Sequence, residues 1–256
     1  MSQSSKLKTT VGVVLLLCLG MWVLSIYWGQ EPEQFSVKQV TLQETAKFNG
    51  QVVTGSTVTA TSIHMIETLL NKPGGFLSND VTPPSVLMDN IPSWETGVVV
   101  QLRDIVRASR DSFSRSQSQS TEDKDLAKAE SRLNISESSW MLPNAQDEYQ
   151  KSADSLRDYL KRLSDNDDTD GQFYARADNL NYWLGLVEVR LGSLSQRLSA
   201  SVGQRRVNTD LAGEITAKQS TKASKEIETK TPWLKIDNEF YEARGTTWAL
   251  LHLLRC

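Results

Sequence analysis

Apolar residues form one long uninterrupted run near the start of the chain. The 22 residues from Thr9 to Gln30 carry no charge, and the stretch 11–28 is almost wholly apolar. As a helix, a run of this length rises about 33 Å at about 1.5 Å per residue, enough to cross a hydrocarbon core of about 30 Å. We therefore predict a transmembrane helix at residues 9–30.

Charged residues on the two sides of this run predict its orientation. Lys6 and Lys8 precede the run, and Glu31 and Glu33 follow it. Because positively charged flanks stay in the cytoplasm, residues 1–8 are predicted to be a cytoplasmic tail, with the rest of the chain outside the cytoplasm. A cleaved signal peptide is the alternative, but its apolar region is usually about 7–15 residues long and ends in a small-x-small site, which is missing here.

The segment that follows, residues 31–56, has a weaker pattern. Two loose alternations of apolar and polar residues occur, at 35–40 and at 51–59. Alternation with a period of two is typical of strands. The segment is therefore predicted to form either short strands or an extended stalk, and the sequence leaves both open.

From Thr57 onward the apolar positions recur at helical spacing, which predicts a helical bundle over residues 57–202. The clearest stretch steps alternately by three and four residues along one helix. A sustained period of 3.5 residues is typical of a seam between helices packed nearly side by side, so we expect this stripe to be buried. The predicted seam consists of Phe173, Leu180, Leu184, Val187, Leu191, Leu194 and Leu198, with Ala177 between the first two.

The end of the chain divides into a polar segment and a last helix. Residues 203–232 contain no aromatic residue, which predicts a polar linker or mobile loop with a short helix around Val207, Leu211 and Ile215. Residues 233–256 are predicted to be a C-terminal helix. No Gly, Asn or Pro closes that helix. We expect it to be truncated, and the apolar side chains of its last turns to be exposed; these are Trp248, Leu251 and Leu254.

Together these patterns predict an all-α protein. An N-terminal transmembrane helix is followed by an extracytoplasmic helical bundle with heptad-like seams, and a few short strands near residues 35–60 remain an option. The formal net charge of −3 gives no general attraction to nucleic acid, so no nucleic-acid partner is predicted. Two cysteines cannot form a disulfide framework.

Residues capable of catalysis or ligand binding form no strong motif. The acidic stretch 166–171 matches the first six positions of a calcium-binding loop, but the twelfth position is Ala177 where a chelating Glu is needed. His64 and His252 have no second ligand at zinc spacing. We therefore predict neither a metal nor a cofactor, and the sequence identifies no catalytic residue.

Aromatic residues supply the candidate interaction face. Trp183, Trp233 and Trp248 lie beyond the membrane segment, and exposed tryptophans dominate the energetics of protein interfaces. Core burial is the favoured interpretation for the tryptophans beyond the membrane segment, and Trp183, just off the seam, is the best candidate for a second contact face. The basic stretch 230–235 and the pair Arg205 and Arg206 are candidates for contact with lipid headgroups or with another protein.

Five strings of the chain have a specific wording, at residues 71–80, 113–123, 173–180, 190–202 and 240–250. They resemble a bacterial family of uncharacterised membrane-anchored proteins, domain of unknown function 2333. The resemblance covers nearly the whole chain after the apolar run. It implies a Gram-negative envelope protein whose relatives extend past Cys256, and it transfers no activity or site.

The function expected from these features is a scaffold or interaction domain of the bacterial envelope. The protein would be a single-pass inner-membrane protein, with the bilayer contacting residues 9–30 and the main domain in the periplasm, where it binds itself or an envelope protein. The alternative is a glycan or lipid hydrolase with paired carboxylates, for which Glu67, Glu95 and Asp178 are available. Whether the protein is an enzyme stays open, with a non-enzyme favoured.

Overall fold

A computed structural model describes residues 3–116, 121–165, 171–209, 216, 218, 220 and 226–256. Within these residues the chain is mostly helical, which confirms the all-α prediction. The helices are α1 (Gln3–Trp28), α2 (Val37–Ala46), α3 (Ser56–Asn71), α4 (Asn90–Ala108), α5 (Lys124–Leu133), α6 (Ala145–Leu163), α7 (Ala177–Ser201) and α8 (Ile236–Leu253). Two short strands, β1 (Gln204–Val207) and β2 (Glu226–Thr229), form an antiparallel pair.

Helix α2 replaces the strands or stalk predicted for this part of the chain. The side chain of Ser36 accepts a hydrogen bond from the backbone N–H of Gln39 and so caps the helix. Val37, Val40 and Thr41 are buried at steps of three and one, which places them on one helical face. The apparent alternation at 35–40 therefore belongs to a helical face, and neither earlier interpretation holds for residues 37–46.

The core lies between α3, α4, α5, α6 and α8, with α4 at its centre. Two glycines let α4 and α8 pack with their backbones in contact. A Cβ atom at Gly97 would lie 2.2 Å from the carbonyl oxygen of Glu242, and one at Gly245 would lie 2.0 Å from that of Trp94. No larger residue fits at either position without moving the two helices apart.

One end of the bundle is formed by segments 47–55, 109–116 and 171–176, which we call the far end. The ring of Phe173 stacks on Phe113 with centroids 4.9 Å apart. The backbone N–H of Gln51 donates to the carbonyl of Ser164 at 3.1 Å. These contacts show that the connections α2–α3, α4–α5 and α6–α7 meet at one end.

The opposite end is formed by segments 72–89 and 134–144, and we call it the α1 end because α1 terminates there. The side chain of Asn79 donates to the carbonyl of Ser139 at 3.1 Å. Gln146 donates to the carbonyl of Phe76 at 3.0 Å. The connections α3–α4 and α5–α6 are thus bound to each other beside the last turn of α1.

The polar segment predicted at 203–232 carries the two strands at its ends. Gln204 pairs with Thr229 and Val207 with Glu226 in the antiparallel register. Val207 is therefore in a strand, where a short helix was predicted, and Leu211 and Ile215 lie outside the described residues.

The last helix, α8, contacts the core through part of its apolar surface. Trp248 is buried, Leu251 is half-buried and Leu254 is 59% exposed. The expectation that all three are exposed is therefore wrong for Trp248. The reason is that its ring packs on Trp94 of α4, with centroids 5.2 Å apart.

Candidate functional site

The last residue of α1 is packed against the bundle. A Cβ atom at Gly74 would lie 2.7 Å from Cγ of the Trp28 ring, and Gly74 has a φ of 82°, which favours glycine. The next residue, Gly29, lies beside Met88, whose Cε would be 3.8 Å from a Cβ at Gly29. The α3–α4 connection, at the α1 end, therefore holds the point where α1 stops.

A buried ion pair fixes the turn that receives Trp28. The ammonium of Lys72 lies 2.6 Å from the carboxylate of Glu95, and both side chains are almost completely excluded from solvent. Glu95 also accepts hydrogen bonds from the backbone N–H groups of Leu77 and Ser78. Lys72 donates to the carbonyl of Gly75. The charges compensate each other, as buried charges must, and the turn is rigid as a result.

The linker between α1 and α2, residues 29–36, runs along α8. Glu31 pairs with Arg244 at 2.9 Å, and the indole of Trp248 donates to the carbonyl of Glu33 at 3.4 Å. Farther along, the ring of Phe35 stacks on His252 with centroids 3.9 Å apart. Three contacts at successive turns of α8 therefore bind the linker to the bundle over its whole length.

The contact between Phe35 and His252 depends on a neutral imidazole. Nε2 of His252 accepts the backbone N–H of Phe35 at 3.1 Å. Nδ1 lies 2.7 Å from the carbonyl of Trp248, to which it donates. Burial lowers the pKa of His252 below 6.5, and the charge of Arg255 lowers it further. A protonated ring has no acceptor, so protonation breaks the bond to Phe35.

Helix α7 does not bury its predicted seam as expected. Val187 and Leu194 are buried, and Phe173 packs on the core. The other members are 36% to 46% exposed: Leu180, Leu184, Leu191 and Leu198. These leucines are exposed because α7 lies at the edge of the bundle and contacts it through one narrow face.

The two apolar tracks of α7 therefore have different environments. The track that faces α4 includes Val187 and Leu194, and Arg190 in the same face pairs with Asp104 of α4 at 2.8 Å. The second track, Leu184, Leu191 and Leu198, repeats every seven residues on the adjacent side of the helix. We call these three residues the outer track.

The outer track borders an open groove between α7 and α8. The groove has a volume of about 490 Å³ and is lined by Leu191 and Leu198 from α7 and by Ala243 and Thr247 from α8. Arg197 also joins α7 to α8, with a hydrogen bond of 2.6 Å to Glu239. The groove is mainly apolar.

The three candidate tryptophans are separated by the fold. Trp183 is buried and belongs to the core, so it does not lie on an exposed face. Trp248 is buried against α4 and the linker. Trp233 is 82% exposed, just before α8. Burial of the first two follows from their positions one helical turn from other core residues, and only Trp233 is available to a partner.

The carboxylates considered for hydrolysis have no bonding partner in common. Glu95 is inside the core with Lys72, as described above. Glu67 pairs with Arg157 of α6, and Asp178 pairs with Arg176 at the exposed start of α7. The structure therefore does not assemble these three residues into one site. The acidic stretch 166–170 lies outside the described residues.

Sequence reasoning missed the residues that hold the linker. His64 and His252 lack a second metal ligand at zinc spacing, but both rings contact Phe35, with centroids 4.4 Å and 3.9 Å from it. Nothing in the local sequence of Phe35 indicates two partners that lie far away along the chain. The helical spacing of His252 and Trp248, four residues apart, was the one available signal.

The fold and the first helix define a class of protein. Leu7–Trp28 of α1 is long and apolar enough to cross a membrane. Apart from Trp28, most of its side chains are exposed. Both an anchor and a signal sequence have these properties. The chain is thus a mostly helical protein with an apolar N-terminal helix.

The chain belongs to the family described as "Uncharacterized protein conserved in bacteria (DUF2333)", whose model matches residues 2–256. This match confirms the resemblance given by the sequence. No curated protein and no solved structure matches the chain.

Proposed function

We propose that this protein is a single-pass scaffold of the bacterial envelope, anchored in the inner membrane by α1, which self-associates through the outer track of α7. The observation that carries the proposal is the division of α7 into two apolar tracks. One track is used by the bundle, and the other, Leu184, Leu191 and Leu198, is exposed at a strict spacing of seven residues.

Retention of α1 is supported by the contact of its last residue. A signal peptide is removed, whereas Trp28 packs on Gly74 of the folded bundle. The flanking charges, Lys8 before the uncharged run 9–30 and Glu31 after it, favour a cytoplasmic N-terminus and a periplasmic bundle.

Self-association is favoured over other uses of α7 by the spacing of its outer track. A seven-residue apolar repeat is complementary to the same repeat on an equivalent helix, since each residue packs between residues one heptad apart. Copies in one membrane share the same orientation. Two copies related by a two-fold axis along the membrane normal therefore place their α7 helices side by side and parallel.

The small size of the contact is consistent with a membrane protein. Three leucines and the groove beside them provide less area than the roughly 1,200–2,000 Å² of a stable soluble interface. Confinement of all copies to one bilayer raises their local concentration and compensates for a weak contact. We expect association in membranes that is readily lost in detergent.

Cysteine cross-linking in native membranes tests the proposal. In a full-length chain with Cys18→Ser and Cys256→Ser, Leu191→Cys should form disulfide-linked dimers under mild oxidation. The matched control is Leu42→Cys on α2, which is also an exposed apolar helix position, at 52% against 44% for Leu191. Leu42→Cys should form few dimers.

The second arm adds Leu184→Asp to the Leu191→Cys chain, and it should abolish the dimer because it places charge in the proposed contact. Equal cross-linking at positions 42 and 191, or cross-linking at 191 unaffected by Leu184→Asp, would contradict the proposed function.

A further inference from the structure

The α1 end of the bundle exposes large apolar side chains in three separate segments. Leu87, in a 3₁₀ turn, is 80% exposed, and Leu142, in the α5–α6 connection, is 96% exposed. Trp233, in the 3₁₀ turn before α8, is 82% exposed. Each has an exposed apolar neighbour, and these neighbours are Val86, Trp140, Met141 and Leu234. Exposed apolar groups in such number are typical of an interaction surface.

Contacts within the fold place the first two segments beside the end of α1. Met88, next to Leu87, contacts Gly29, and Trp28 contacts Gly74. The segment with Leu142 is bound to the same loop through the hydrogen bond from Asn79 to Ser139. Both segments therefore lie where the apolar span of α1 ends.

The third segment lies at the same end. Asn238, in the first turn of α8, lines a cleft of about 740 Å³ together with Asp89, Met88 and Ser138 of the other two segments. The linker confirms the direction of α8. Glu31, which is near α1, pairs with Arg244, whereas Phe35, which is farther from α1, contacts His252. The start of α8 and Trp233 thus point toward the α1 end.

We propose that these three segments insert their apolar side chains into the membrane interface around α1, so that the bundle lies on the bilayer at three points besides its anchor. We call them the interface loops: residues 85–88, 139–143 and 233–235. The proposal rests on the proposed function in one respect, namely that α1 spans the membrane.

The chemistry of the segments suits a lipid surface. Tryptophan prefers the headgroup level, where its ring is in an apolar layer and its N–H meets water, and Trp140 and Trp233 provide two such rings. Lys230 and Lys235 flank Trp233 and are exposed, so they can approach lipid phosphates. The carboxylates Asp80, Asp89 and Glu137 line the cleft between the loops.

The position of Trp28 determines the depth at which the interface loops meet the membrane. The apolar span ends at this residue, so its ring is at the boundary of the hydrocarbon layer. Because Trp28 packs on Gly74, the loop 72–89 is held at that boundary whatever the tilt of α1.

Insertion at three points would fix the orientation of the bundle on the membrane. A single helix anchor allows rotation and tilt, whereas three additional contacts restrict both. The outer track of α7 then faces sideways toward neighbouring copies, which lowers the orientational cost of the association proposed above.

Fluorescence quenching in lipid nanodiscs tests the inference with the full-length chain. With Cys18→Ser and Cys256→Ser in place, a polarity-sensitive fluorophore is attached at Leu142→Cys or Leu87→Cys. The nanodiscs contain phosphatidylcholine and phosphatidylglycerol, with or without a lipid carrying a nitroxide near its headgroup. The matched control is Val52→Cys at the far end, which is 51% exposed.

The labels at 142 and 87 should show blue-shifted emission, be quenched several-fold more by the nitroxide lipid than the label at 52, and be protected from aqueous iodide. A label on the native Cys18, in a chain with Cys256→Ser only, reports on the anchor. Quenching of Cys18 by lipid together with aqueous behaviour at 142 and 87 would overturn the inference and leave the anchor intact. Aqueous behaviour at Cys18 as well would overturn the anchor itself.

Discussion

Helices α6 and α7 have the same apolar spacing in the sequence but different environments in the fold. In α6, Tyr149, Ala153 and Leu160 are completely buried, and Leu156 is nearly so. In α7, most of the repeat is exposed, namely Leu180, Leu184, Leu191 and Leu198. Helix α6 packs between α3 and α5, whereas α7 lies at the edge of the bundle and packs mainly on α4 and α8. A heptad-like pattern thus identifies a face that needs a partner and does not say whether the partner belongs to the same chain.

The largest expected effect is in α6. Leu160→Asp places a carboxylate where the native side chain has no solvent exposure. An unpaired buried charge costs about 3–5 kcal/mol or more, a large part of a total stability of about 5–15 kcal/mol. Thermal unfolding followed by circular dichroism should show a strongly destabilised or unfolded bundle. A melting temperature within a few degrees of wild type would mean that α6 is not part of the core.

The buried track of α7 should give a smaller loss. Val187→Asp affects a side chain that is 6% exposed, at the edge of the bundle where water can reach a displaced carboxylate. We expect a cost of about 2–4 kcal/mol in denaturant unfolding. Val187→Ala is the milder substitution at the same position and should lower the free energy of unfolding by about 1–2 kcal/mol. A cost for Val187→Asp below that of Val187→Ala would show that this track is not buried.

The linker contact with α8 should make stability depend on pH. Burial lowers the pKa values of His252 and His64 in the folded protein. The unfolded chain therefore binds more protons as the pH falls through 6.5, and stability decreases on the acid side of that value. Unfolding of the full chain at pH 7.5 and 5.5 measures the loss. His252→Gln should reduce the difference between the two pH values, and an unchanged difference would exclude His252 as its source.

The smallest effect on folding is expected in the outer track. Leu184 is 38% exposed, so Leu184→Asp should change the free energy of unfolding by no more than about 0.5 kcal/mol. The same substitution should remove self-association in membranes. A large loss of folding stability would show that the outer track packs within its own chain, and the contrast between α6 and α7 would then disappear.

Much of the fold could be predicted from the sequence because its signals are local. The apolar run that ends at Trp28 and the helical spacing after Thr57 identified α1 and the bundle helices. The linker and the split of α7 could not be predicted, because they depend on contacts between distant residues. Phe35 and His252 come into contact only in the folded protein. Val187 is buried and Leu184 is exposed because of the positions that α4 and α8 take beside α7 in the fold.

The central claim is that the outer track binds a second copy of the chain in the membrane. Energy transfer between donor- and acceptor-labelled full-length chains in one bilayer tests it most directly. The labels are attached at Val52→Cys, at the far end, in chains with Cys18→Ser and Cys256→Ser. Energy transfer should persist when lipid is added in excess and should be lost in the Leu184→Asp variant. Transfer that falls to the level of random collisions on dilution, or that is equal in Leu184→Asp, would contradict it.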